Sequence, residues 1–144
     1  MKVISIVGTK KSGKTTLVSA LVSSLTKYGK VGTIKNMATH SVDHGDTRNH
    51  FDAGADVVIG LGDAKLKVTR GSGDLISALS DLKAEGVDYA VVEGFKDSNL
   101  PKFVMTDIEV LECLRRVSLS ELNDDLIAKL TKLVLGLDDY QAEP

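Results

Sequence analysis

Gly8-Thr9-Lys10-Lys11-Ser12-Gly13-Lys14-Thr15, preceded by Val3-Ile4-Ser5-Ile6-Val7, is the stretch whose reading decides the fold. The octet matches Gly-x-x-x-x-Gly-Lys-[Ser/Thr], the phosphate-binding P-loop. The pentad before it reads as a buried strand and Thr15 to Tyr28 after it as a helix, which is the context the motif requires. Its glycines permit positive φ and close backbone approach, so successive N–H groups can turn inward on phosphate oxygens at the positive end of a helix. Gly8, Thr9, Lys10, Lys11, Ser12, Gly13, Lys14, Thr15 and Thr16 are therefore the expected binding residues. Lys14 is expected to reach the β- and γ-phosphates, and the Thr15 hydroxyl to ligate a Mg²⁺ that bridges them. Lys10 and Lys11 read either as solvated loop lysines or as added positive potential over the phosphates.

Beyond the loop, Leu17, Val18, Leu21, Val22, Leu25 and Tyr28 recur at helical spacing, and Gly29 is a natural stop. Val31 to Lys35 is short and β-rich, so the spacing predicts a second strand, parallel to the first. Asn36 to Asp56 is polar and holds all three histidines, His40, His44 and His50. A loop of that length in a compact domain is usually functional or mobile. Asp46 is placed to N-cap a short helix through Phe51, closed by Gly54. Facing a γ-phosphate, Asp43 or Asp46 would hold Mg²⁺ directly or through water; as turn and cap residues they would not. The histidine array lacks paired cysteines at ligand spacing, which argues against zinc.

Asp56 to Gly60 reads as a third strand and Lys65 to Arg70 as a half-exposed edge strand. Leu75, Ile76, Leu79 and Leu82 mark a second amphipathic helix ending at Gly86. Asp88-Tyr89-Ala90-Val91-Val92-Glu93-Gly94 is then a continuous apolar run ending in an acid, as expected of a central parallel strand. This is the Walker B arrangement, and Glu93 is the candidate to position Mg²⁺ and the attacking water. Asp88 would lie at the opposite end of that strand, about 15 Å away. Lys102 to Thr106 reads as a further strand. Ser118-Leu119-Ser120-Glu121 supplies a capping box for a last helix carrying Leu119, Leu122, Leu126, Ile127, Leu130, Leu133 and Val134, and Gly136 ends it. Residues 138–144 read as a flexible acidic tail.

The expected fold class is α/β, a three-layer P-loop NTPase-type fold with a mostly parallel sheet flanked by helices. At 144 residues a single nucleotide-binding domain is expected. A net charge of −2 without a basic cluster argues against nucleic acid or an anionic membrane as partner. The lone Cys113, in an apolar stretch with Leu111 and Leu114, reads as a core thiol and fits a reducing cytoplasm. The first strand begins at residue 2 or 3, which leaves no signal peptide to expect, and no apolar run nears the ~20 residues of a membrane span.

Taken together, the P-loop, the Ile34-Lys35 strand end, Asp43-x-Gly45-Asp46-Thr47 closing on Ala53-Gly54-Ala55, Val92-Glu93-Gly94-Phe95-Lys96 and Pro101-Lys102 resemble the molybdopterin-guanine dinucleotide biosynthesis protein B (MobB) family. The blocks appear in the family's order over residues 1 to about 106, and Glu-Gly-Phe-Lys after an apolar strand is the most specific of them. The resemblance implies a dimeric GTP-binding protein with weak GTPase activity, assisting a separate molybdopterin guanylyltransferase. It implies phosphate and Mg²⁺ binding by Gly8, Gly13, Lys14 and Thr15, Glu93 at the Walker B position, and Lys96 facing the same site. Two departures bear on how the γ-phosphate side is closed, and hence on the hydrolysis rate. Lys35 is followed by Asn36 where the family usually has His, and Gly45 directly by Asp46 where it usually has Gly-Lys-Asp. The Asn-Lys-x-Asp element frequent in guanine-specific P-loop proteins is absent, so GTP rests on the resemblance alone. A small-molecule kinase and a non-catalytic nucleotide-binding scaffold are the competing readings; the kinase is disfavoured by a short chain with four arginines, 48, 70, 115 and 116.

Overall fold

The computed structural model describes residues 1–38, 45–71 and 73–142. The chain divides into two compact units, one formed by Met1–Asn36 with Leu75–Pro144 and the other by Met37–Asp74.

The first unit is a five-stranded sheet in the order β2-β5-β1-β6-β7, with every neighbouring pair parallel. Its strands are β1 (Lys2–Val7), β2 (Val31–Lys35), β5 (Tyr89–Glu93), β6 (Lys102–Val104) and β7 (Cys113–Arg116). Alternation along β1 and β5 divides the core between two faces. Ile4, Ile6, Val91 and Phe103 pack with Leu17, Leu21 and Leu25 of α1 (Lys14–Leu25) and with Leu126, Leu130 and Val134 of α4 (Asp124–Leu135). Val3, Ala90 and Val92 face the other way, onto Leu79 of α3 (Leu75–Ala84). The result is three layers, as expected, with β1 at the centre. The apolar run of β5 lies directly beside β1 because both of its faces are covered.

Several details depart from the expectations. Helix α1 ends at Leu25, and Tyr28 is exposed rather than part of the stripe. Ile76 and Leu133 are also largely exposed on their helices. The capping box does form at Ser118 and Glu121, but it opens a one-turn 3₁₀ segment, Leu119–Glu121. The last helix starts later, where the Asn123 side chain accepts from the Leu126 N–H at 2.8 Å. Cys113 is exposed, because it begins the edge strand β7 rather than entering the core. At the end of the chain, the Tyr140 N–H donates to Met1 O at 2.8 Å and the terminal ammonium lies 3.0 Å from Asp139.

Lys102 is completely buried. Its ammonium donates to the carbonyls of Leu100 at 2.7 Å, Leu111 at 3.1 Å and Ser98. One cation thereby ties the turn before β6 to the loop before β7. Burial pushes its pKa below the ordinary value, while Glu112 and Asp97 pull it back up.

The second unit is built from α2 (Asp46–Asp52) and a separate antiparallel hairpin, β3 (Val57–Leu61) with β4 (Lys65–Thr69). Both strands were expected, but they pair only with each other. Gly45, at φ 85°, precedes α2, and the Asp46 side chain does not cap it; Asp46 is the first helical residue. Two guanidinium groups approach the Phe51 ring, Arg70 at 4.1 Å and Arg48 at 5.1 Å from its centre. One face of the hairpin carries the buried Val58; the other exposes Val57, Ile59 and Leu61.

Candidate functional site

The candidate site lies at the C-terminal edge of the sheet, where β1 runs into the P-loop. Gly13 precedes α1 in a left-handed conformation, φ 95°, which only glycine adopts without strain. The first helical bond is from the Leu17 N–H to Gly13 O at 3.1 Å. The N–H groups of Lys14, Thr15 and Thr16 therefore stand outside the helical ladder, at the positive end of the helix dipole. A Cβ at Gly8 would stand 2.7 Å from Ser12 Oγ and 3.3 Å from Met105 Cβ, so a larger residue there would displace the Ser12 hydroxyl. Ser12 Oγ is itself buried without a hydrogen-bond partner. A buried unpaired hydroxyl costs free energy, and at an anion nest a ligand oxygen is the natural partner. Lys14 Nζ donates to Thr9 O at 2.7 Å and Gly8 O at 3.1 Å, so its charge is held against the loop it would serve.

Glu93 reaches this loop from β5. In the sheet register it stands opposite Ile6 on one side and Lys35 on the other. The Thr15 hydroxyl donates to its carboxylate, 3.2 and 3.3 Å from the two oxygens, and Lys35 Nζ is 4.0 Å away. A hydroxyl and a carboxylate at the phosphate end of a P-loop are the hard oxygen donors that Mg²⁺ prefers. The carboxylate's place depends on the turn that follows it. Gly94 has φ 99°, its N–H donates to Ile6 O at 2.9 Å, and its carbonyl accepts from the buried Ser5 hydroxyl at 2.7 Å.

Lys11, Ser12, Gly13, Lys14, Thr15, Thr16, Glu93 and Leu119 line a cleft of about 290 Å³. Gly8, Thr9 and Lys10 complete the loop behind it. Lys96 is exposed on the turn after Phe95 and is not among the lining residues. Asp43, like His40 and His44, lies outside the described residues, and Asp46 opens α2 in the second unit. Leu119 went unread as a site residue. Its side chain lies over Gly13, 2.8 Å from where a Cβ would be, although its place in an apolar stripe pointed to a helix core.

A sequence profile for molybdopterin guanine dinucleotide synthesis protein B matches residues 3–131. The chain belongs to that family. It is 35% identical over 112 residues to a Methanocaldococcus jannaschii protein designated molybdopterin-guanine dinucleotide biosynthesis adapter protein, covering 73% of this chain. Only 47% of that relative is covered, so the chain spans about half its length. A Bacillus subtilis protein with the same designation is 30% identical over 125 residues, 81% of this chain and 72% of its own. Among solved structures, a MobB homologue from Bacillus stearothermophilus superposes with a TM-score of 0.74 at 24% identity, over 94% of this chain and 99% of that one. Bacillus subtilis MobB gives 0.73 at 17%, over 95% and 100%. At these identities the structural likeness shows the fold alone, a parallel five-stranded sheet flanked by helices. No helix among the described residues is long and apolar enough to cross a membrane.

Proposed function

We propose that this chain is a Mg²⁺-dependent GTP-binding protein of the MobB family, with slow GTPase activity, that assists molybdopterin guanine dinucleotide synthesis in the cytoplasm. The observation that carries this reading is the meeting of Thr15 and Glu93 beside a P-loop whose Ser12 hydroxyl is buried and unpartnered. In this reading the loop N–H groups and Lys14 bind and orient the phosphates. Bound Mg²⁺ would neutralise charge on the phosphate oxygens, held by Thr15 and Glu93. The carboxylate also orients water. Slow turnover suits an adapter to a separate guanylyltransferase.

The arginines weigh against a kinase. Arg48 and Arg70 stack on Phe51, and Arg116 bonds backbone carbonyls, which leaves little to cover a transferring phosphoryl group. The exposed Val57, Ile59 and Leu61 stripe, on a hairpin that pairs with no other strand among the described residues, supports a homodimer. Competition of GTP with ATP, followed by phosphate release in Mg²⁺, tests the reading. Lys14→Ala is expected to weaken binding roughly 10- to 100-fold, the worth of one charge-assisted hydrogen bond, and to abolish release. Tight binding without release above buffer would favour the scaffold, and phosphate transferred to an added acceptor the kinase.

A further inference from the structure

Beside the phosphate cleft, within the same unit, lies a second cleft of about 310 Å³, lined by Val104, Met105, Thr106, Asp107, Arg116, Val117, Ser118 and Glu121. Two hydrogen bonds and one close approach set the P-loop and the segment after β6 side by side. The Thr9 N–H donates to Thr106 Oγ1 at 3.2 Å, the Met105 N–H donates to Val7 O at 2.9 Å, and a Cβ on Gly8 would be 3.3 Å from Met105 Cβ. Leu119, which closes the phosphate cleft over Gly13, is the neighbour of Ser118 in the chain. The second cleft thus lies next to the loop that would hold a ligand's phosphates at Lys14 and Thr15. The location is the crevice beyond the carboxyl ends of β1 and β6, where open parallel sheets hold the rest of a nucleotide.

The polar groups of the cleft differ in what they have left to offer. Arg116 donates from both terminal nitrogens to carbonyls, Thr106 O and Ile108 O, each at 2.9 Å. It acts as a strut that holds the segment carrying Asp107. Glu121 accepts from the Ser118 N–H at 2.9 Å in the capping box, and that bond holds its pKa below the ordinary carboxylate value. The Ser118 hydroxyl lies 3.0 Å from Ser120. The Asp107 carboxylate alone among these side chains has no hydrogen bond or ion pair within the described residues. The walls beneath it, Val104, Met105 and Val117, are buried and apolar. The cleft thus combines an apolar floor with one uncommitted acceptor that cannot donate.

Resting on the nucleotide reading of the P-loop, we propose that this second cleft is the base subsite and that Asp107 selects guanine. The ring N–H and 2-amino group of guanine form a pair of donors that a carboxylate can accept together. Adenine presents a ring acceptor at that edge, which would face the carboxylate unpaired. The selectivity that an Asn-Lys-x-Asp element would supply is carried here by the loop after β6. A pterin has the same amino-amide edge, but without a triphosphate it cannot use the adjoining P-loop.

Equilibrium titration of the full chain with GTP, ATP and XTP in Mg²⁺ tests this, comparing the wild type with Asp107→Asn. The wild type is expected to prefer GTP over ATP. Asp107→Asn is expected to weaken GTP roughly 10- to 100-fold and to strengthen XTP, whose 2-oxo group accepts from the new amide. A gain for XTP cannot come from misfolding, so a damaged variant is distinguishable from a re-specified one. Equal GTP and ATP affinity in the wild type, or an unchanged GTP-to-XTP ratio in the variant, would overturn the inference and leave the P-loop reading standing. Absence of binding by any triphosphate would overturn both. A soluble pterin that binds the wild type without displacing GTP, and is lost in Asp107→Asn, would assign the cleft to a pterin and overturn guanine.

Discussion

The hydroxyl of Thr15 donates to the carboxylate of Glu93 at 3.2 and 3.3 Å, although the two residues are 78 positions apart in the chain. The contact exists because β5 lies next to β1, with Glu93 level with Ile6 at the edge from which the P-loop springs. Glu93→Gln preserves the shape of this pair and removes its charge. We expect the Mg²⁺ concentration that half-saturates GTP turnover to rise roughly 10- to 100-fold, with nucleotide binding in chelator little changed. An unaltered Mg²⁺ dependence would remove Glu93 from the metal.

Gly94 couples that carboxylate to the sheet. At φ 99°, with a new Cβ 2.9 Å from Asn36 Cβ, Gly94→Ala meets both backbone strain and a collision. We expect a loss of about 2 kcal/mol in stability by urea denaturation, within the usual range for a strained non-glycine residue, together with reduced phosphate release from the displaced Glu93. Wild-type stability in this variant would show that the turn relaxes freely.

Lys102→Met removes a buried cation and leaves the carbonyls of Ser98, Leu100 and Leu111 without their donor. Destabilisation of about 3 kcal/mol is expected, read as a shifted urea midpoint with unchanged slope. The pH dependence runs in a defined direction. The folded pKa is lowered from 10.5, so between the folded value and 10.5 the unfolded chain binds more protons than the folded one. Wild-type stability therefore gains from this lysine as pH rises through that window, and Lys102→Met lacks the gain. An alkaline stability difference between the two proteins that shrinks instead would contradict this.

The outer face of the β3–β4 hairpin presents Val57, Ile59 and Leu61, 51%, 55% and 81% exposed. Ile59→Lys sets a charge in the middle of that stripe while leaving Val58 on the packed face untouched. If a second copy covers the stripe, sedimentation should show a dimer for the wild type and a monomer for Ile59→Lys, with GTP binding retained. A monomeric wild type at micromolar concentration would sink the dimer.

Local rules made the loop between β1 and α1 and the strand ending in Glu93 readable. Two glycines at fixed spacing, a lysine and a threonine specify a backbone conformation within eight residues, and the continuous apolar run before Glu93 marks a strand covered on both faces. The burial of Lys102 is not readable from the sequence, because a charged side chain is ordinarily assigned to the surface; only the convergence of three carbonyls from two segments makes its burial tolerable. The Ser118 capping box predicts the start of the last helix, but it opens a separate 3₁₀ turn that places Leu119 over Gly13 rather than in a helix core, and the helix itself is capped by Asn123.

The sequence by itself determined the glycine-rich loop after β1, the helix that follows it, the apolar strand ending in Glu93 and the α/β class, because each follows from spacing within a few residues. Tertiary structure alone decided the strand order, the isolation of the β3–β4 hairpin, the exposure of Cys113 and the second cleft. All of these depend on pairing between distant segments. Strand β7 shows the reason most plainly: Cys113-Leu114-Arg115-Arg116 is exposed throughout and carries no apolar alternation. It is a strand because β6 lies beside it, and that strand completes the cleft in which Asp107 stands.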